Sequence, residues 1–107
     1  MTSFDPRSCL TRLATEYAAR AQAIEHDLAR SHSPDFAEQA QQRQNDEVLE
    51  ALLVEAKLAQ RQVAHALERL TEGRYGQCLH CGQPIAPARL QAMPMAERCL
   101  ACADLQE

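Results

Sequence analysis

Apolar residues recur early in the chain at Leu10, Ala14, Tyr17, Ala21, Ile24 and Leu28, in steps of 4, 3, 4, 3 and 4. That alternation is the heptad period of a helix with a single apolar seam. Arg12, Glu16, Arg20, Glu25 and Arg30 fall off the seam and stay in water. Asp5-Pro6 marks the start. Asp caps free amides, and Pro suits the first turn, where its missing N–H has no acceptor to serve. The helix is expected to stop near Ser31-His32-Ser33, because Pro34 disfavours helix in the residue before it.

A second seam runs through Leu49, Leu52, Ala56, Ala59, Val63, Ala66 and Leu70, in steps of 3, 4, 3, 4, 3 and 4, widened by Leu53 and Leu67. Upstream of it, residues 37–47 are mostly polar, with Gln39, Gln41, Gln42, Gln44 and Asn45. Asp35 and Glu38 have the spacing of a capping box, and Gly73 is a natural helix stop. Two seamed helices joined at Ser33-Pro34-Asp35 pack as an antiparallel hairpin. At ~1.5 Å per residue, ~26 residues span ~39 Å and ~37 residues span ~55 Å, so the second helix outruns the first. Its last turns, with Val63, Leu67 and Leu70, can then pack on the C-terminal third of the chain. The expected form is a rod with an acidic turn at one end.

The C-terminal third carries a cysteine framework. Cys78-Leu79-His80-Cys81 and Cys99-Leu100-Ala101-Cys102 are separated by seventeen residues. Two Cys-x-x-Cys pairs at this separation are the spacing of a four-thiolate zinc site. Each pair supplies two corners of a tetrahedron with Zn–S near ~2.3 Å. Gly82 follows Cys81 where a backbone passing a metal often needs a conformation without a Cβ. A redox dithiol would sit in a βαβ setting, which this chain lacks, and paired disulfides would need an oxidising compartment. Four sulfurs fill the tetrahedron, so the zinc is structural and His80 is left as a surface residue. Ile85, Leu90, Met93 and Met95 can supply the module's apolar side, and residues 96–105 a short closing helix. Cys9, the fifth cysteine, is expected to be a small, partly buried residue on its helix.

Composition narrows the picture. A chain of 107 residues is one domain's worth, with no Trp, two Phe and two Tyr. So few aromatics cannot fill a broad core, which makes a stabilising metal more important. The net charge is −4, and residues 31–50 alone carry that sum: Asp35, Glu38, Asp46, Glu47 and Glu50 against Arg43. No basic cluster is present to neutralise phosphates, which argues against sequence-specific DNA binding. No signal peptide and no apolar run of ~18 residues is present, so a cytoplasmic location without membrane contact is expected. No nucleophile–base pair, phosphate loop or open metal site points to an enzyme.

The zinc segment resembles the DksA/TraR family of zinc-finger transcription factors. The residues that carry the resemblance are Gly73-Arg74-Tyr75-Gly76-Gln77-Cys78, Cys81-Gly82, Pro84-Ile85, Arg89-Leu90-Gln91-Ala92, Pro94 and Cys99-x-x-Cys102. The hairpin fits as well, so the resemblance covers the chain from about Leu10 onward. It implies a mainly α fold: an antiparallel two-helix coiled-coil hairpin with a C-terminal four-Cys zinc finger and a short closing helix. The hairpin would occupy residues 1–72, with its tip at about 32–40, and the finger residues 73–107. One structural zinc would be held by Cys78, Cys81, Cys99 and Cys102.

In the family, the coiled coil enters the secondary channel of bacterial RNA polymerase, and its tip alters the stability of promoter complexes. The family's tip carries Asp-x-x-Asp-x-Ala. Asp35 and Ala40 match that pattern, and Glu38 keeps the charge with one more methylene. The same spacing of Asp35 and Glu38 also serves to cap a helix. Cations that hold guanosine tetraphosphate in well-known members are replaced here by Gln62, Met93 and Ala103, all neutral. The expectation is a monomeric, non-enzymatic regulator acting on polymerase. Two other readings of the same residues are a zinc-stabilised coiled-coil adaptor for another protein and a thiol-based redox or metal sensor.

Overall fold

The computed structural model of the protein describes residues 4–30 and 36–103. The expected turn at residues 31–35, including Asp35, lies outside the described residues. Helix α1 spans Pro6–Leu28, α2 Phe36–Thr71 and α3 Pro87–Ala92, and a 3-10 turn comes last at Leu100–Cys102. Both expected long helices are present. Among the described residues there is no strand, only an isolated antiparallel bridge between Gln77 and Pro84.

The ends of the long helices obey their local chemistry. The Ser8 amide donates to Asp5 Oδ1 at 3.4 Å and the Cys9 amide to the Asp5 carbonyl at 3.1 Å, so Asp5 caps α1 as its sequence suggests. α1 stops at Leu28, earlier than Pro34 alone would require. The Arg30 amide already reaches the Asp27 carbonyl, a tighter three-residue step, at 3.3 Å. At the far end of α2, Gly73 adopts a φ of 77°. The Arg74 amide bonds the Arg69 carbonyl at 2.8 Å and the Gly73 amide bonds that of Leu70 at 3.3 Å. Together these form a Schellman cap, which satisfies carbonyls the helix leaves open.

The described chain forms two compact units. One is Thr15–Gln60, the hairpin portion of both long helices. Ala21, Ile24 and Ala56 are buried there, with Tyr17, Leu28, Leu49, Leu53 and Ala59 half-buried. Seam residue Leu52 stays 44% exposed, while its neighbour Leu53 turns inward. Leu49 and Ala56 on either side stay inward, so the inward set here is Leu49, Leu53 and Ala56, still in heptad steps. Lys57 Nζ lies 3.9 Å from Glu25 Oε1 across the helix pair, and both side chains are about half exposed.

The other unit is Met1–Ala14 with Arg61–Glu107. Leu10 of α1 and Val63 and Ala66 of α2 are fully buried in it. A second cluster joins Cys78, Ile85, Leu90, Ala96 and Cys102, with Phe4, Tyr75 and Cys99 packed against it. This core is built around the cysteines themselves. Residues 96–99 are not helical, and within the described residues the closing element is only the 3-10 turn Leu100–Cys102. The shortening is a consequence of the site: Cys99 is extended (φ −70°, ψ 168°) so that its sulfur can turn toward the first cysteine pair.

Candidate metal centre and its supports

The first cysteine pair is shaped by a tight loop. The Cys78 amide donates to the Gln83 carbonyl at 2.8 Å, and the Gly82 amide donates back to the Cys78 carbonyl at 2.9 Å. That closure requires the left-handed φ of 78° at Gly82, a conformation with little penalty only for glycine. The Ile85 amide donates to the Gly76 carbonyl at 2.7 Å and closes the base of the loop. α3 begins with Pro87 and carries Leu90 into the core beside Ile85. It was not expected from the sequence. Tyr75 Oη donates to the Pro94 carbonyl at 2.8 Å, and Arg89 Nε to the Arg98 carbonyl at 3.0 Å. These two bonds return the chain toward the first pair.

The four expected ligands converge. One sulfur from each of Cys78, Cys81, Cys99 and Cys102 lies within 4.8 Å of all the others. The Cys81 and Cys99 sulfurs are 3.8 Å apart. A tetrahedral ion with Zn–S near ~2.3 Å needs sulfurs ~3.8 Å apart, so the residues present fit one such ion. Cys78 and Cys102 are buried, Cys99 is half-buried and Cys81 is exposed. His80, between two ligands, is exposed, as expected of a bystander.

The sulfurs are electrostatically unequal. Burial opposes charge on Cys78, yet backbone amides of Cys81, Cys99 and His80 aimed at its sulfur bring its pKa down to about 5. Burial, together with thiol contacts to Cys99, Cys81 and Cys78, pushes Cys102 up to about 12. Cys81 is raised despite the amide of Gln83, because its contact with the Cys78 sulfur and burial outweigh it. Cys78 is therefore the sulfur that gives up its proton most readily, and a bound cation would draw the protons from the rest. When bound, the ion supplies a crosslink, and four thiolates leave no coordination position for a reacting water.

The remaining positions singled out in the sequence are spread over both units. Glu38 lies in the first turn of α2 and is exposed, as is Ala40. Cys9 is half-buried on α1. Gln62, Met93 and Ala103 line one groove of about 260 Å³, together with Arg89, Met95, Ala96, Glu97 and Arg98. The three neutral positions thus share a surface that still holds two guanidinium groups. The sequence reading missed Arg69, which is buried. Its position three residues after Ala66 sets it beside the seam, but no sequence signal marks an arginine there as buried.

Comparison with known proteins accounts for both parts of the chain. Residues 7–70 match the family described as DnaK suppressor protein-like, N-terminal domain. Residues 73–107 match the prokaryotic dksA/traR C4-type zinc finger. The chain belongs to the DksA/TraR family. This DksA-like chain resembles the structure of transcription factor DksA2 from Pseudomonas aeruginosa with a TM-score of 0.79 and 32% identity. That match covers 91% of this chain and 76% of the other. An uncharacterized protein of Aquifex aeolicus (strain VF5) is 33% identical over 70 residues, which is 65% of this chain and 48% of that relative. The chain therefore spans about half the length of that relative. Membership makes the ion zinc, and four cysteines are positioned to bind one. Fold and family are those of a transcription factor, and no helix among the described residues is long and apolar enough to cross a membrane.

Proposed function

We propose that this DksA-like chain regulates transcription by binding bacterial RNA polymerase in its secondary channel and changing promoter-complex stability through its acidic hairpin tip. The observation that carries the reading is the pair of family matches across residues 7–70 and 73–107. Asp35, Glu38 and Ala40 act at the tip, and the finger at residues 73–107 holds the hairpin on polymerase, in the cytoplasm. Glu38 and Ala40 are both exposed, and the stretch around them carries a charge equal to the chain's whole net charge. A carboxylate presented there can accept charge-assisted hydrogen bonds from polymerase donors. The partner is a protein rather than DNA, since the chain offers no cluster of cations to phosphates.

The decisive test is Asp35→Asn with Glu38→Gln, which removes charge while keeping size and much of the capping ability. The double variant is expected to compete for the secondary channel as wild type does and to retain wild-type helical content. It should no longer change promoter-complex lifetime in transcription with purified polymerase. Regulation equal to wild type would reduce both carboxylates to helix caps. Failure of the unmodified protein to bind purified polymerase would favour an adaptor for another partner.

A further inference from the structure

Arg69 is a buried charged side chain near the end of α2, only 5% exposed. Its Nε and Nη2 have no hydrogen-bond partner among the described residues. Its Nη1 faces Glu97 Oε1 at 4.0 Å. A guanidinium at such depth depends strongly on the carboxylate that balances it. The same Oε1 lies 3.9 Å from His65 Nδ1, one helical turn earlier on α2. Glu97 therefore presents its carboxylate to two residues of one helix face.

The backbone of Glu97 is fixed from elsewhere. Its carbonyl accepts the Leu79 amide at 2.8 Å, inside the first cysteine pair. Two residues later the chain becomes Cys99, the first ligand of the second pair. Glu97 is thus tied to one pair by a hydrogen bond and to the other by covalent chain. A metal that clamps the two pairs together also fixes the place from which this carboxylate reaches Arg69.

We propose that Glu97 is a positioning residue that couples metal binding to the last turns of α2 through Arg69. Filling the site holds the carboxylate against the buried guanidinium. Emptying it frees the Glu97 backbone and leaves the Arg69 charge poorly balanced, so the end of α2 loosens. Linkage makes the coupling reciprocal: holding Glu97 against Arg69 strengthens metal binding by the same factor. The proposal rests on the cysteine site and is independent of any action on polymerase.

The test uses the full-length protein and Glu97→Gln, which keeps the carbonyl and side-chain length and removes the charge. Zinc affinity, measured by competition with a chelator of known strength, is expected to weaken about tenfold, as for other groups that support metal ligands from behind. In wild type, removing zinc should lower hydrogen-exchange protection over residues 65–71, while zinc-loaded Glu97→Gln should already show reduced protection there. With Arg69→Met as background, Glu97→Gln should change zinc affinity by less than about twofold, the non-additivity of residues acting as a pair. The cobalt-substituted absorption spectrum should be unchanged in Glu97→Gln, because all four sulfurs remain. Zinc affinity of Glu97→Gln within about twofold of wild type would overturn the proposal without needing the Arg69 variant. So would an undiminished effect of Glu97→Gln in the Arg69→Met background, or a shifted cobalt spectrum.

Discussion

Replacing Gly73 with alanine isolates one backbone conformation. Gly73 has a φ of 77°, and a Cβ built on it meets no atom within 4 Å. The substitution therefore adds no clash, and its effect is the left-handed penalty of an L-residue, ~1–2 kcal/mol. Alanine also stiffens the unfolded chain, which offsets part of that penalty but is outweighed where the native φ is positive, so a net loss of about 1 kcal/mol is the expectation. For a domain near this size, each kcal/mol lowers Tm by roughly 4–8 °C. Thermal unfolding monitored by far-UV circular dichroism, with zinc held in excess, measures the shift. Gly73→Asn should lose less, since Asn tolerates this region better. At Gly76, with a φ of 86°, an added Cβ would meet Leu90 Cδ1 at 3.4 Å. Gly76→Ala should therefore lose at least as much as Gly73→Ala. A Tm for Gly73→Ala equal to wild type would refute the Schellman assignment, and a loss above about 3 kcal/mol would mean the site is not open.

Zinc binding near neutral pH should release at least two protons, because Cys81 and Cys102 both have raised pKa values, the latter to about 12. Affinity should thus rise with pH, by about a hundredfold per unit, and calorimetry in buffers of different ionisation enthalpy would contradict this by finding one proton or fewer. Sedimentation equilibrium at micromolar concentration should give a monomer, as the two seams bury each other, and a dimer would point to pairing between chains. Guanosine tetraphosphate should add little to the effect on a polymerase lacking its other tetraphosphate site, because Gln62, Met93 and Ala103 are neutral. A strong response abolished by Arg89→Ala would show that the guanidinium groups lining that groove have taken over the role.

The parts of the fold set by local periodicity were legible in the sequence. Both helices, the Asp5 cap, the Gly73 stop and the convergence of the four cysteines come from spacing and residue type. The seam was legible in outline, but Leu52 and Leu53 both fit a heptad step from Leu49, and period alone did not say which of the two turns inward. α3 was signalled by Pro87 ahead of Ala88, Leu90 and Ala92, yet six residues carry too few turns to show a period. The closing element starts at Leu100 rather than at Ala96, because alanine-rich sequence favours helix while Cys99 must stay extended to bring its sulfur inward. Arg69 was illegible for a different reason. Its counter-charge, Glu97, lies far along the chain, and nothing local announces a burial that long-range folding imposes.

The unequal exposure of the four sulfurs bears on how quickly the metal exchanges, as distinct from how tightly it is held. Cys78 and Cys102 form a buried edge of the tetrahedron, whereas Cys81 is open to solvent and Cys99 half so. An incoming thiol or chelator would meet a bound ion at the open edge, beside Cys81, with Cys78 and Cys102 still shielded. Removal would then depend on the acceptor, with a rate that climbs with its concentration. Unequal shielding of the four sulfurs would thus make exchange depend on what approaches the open edge, whatever the strength of binding.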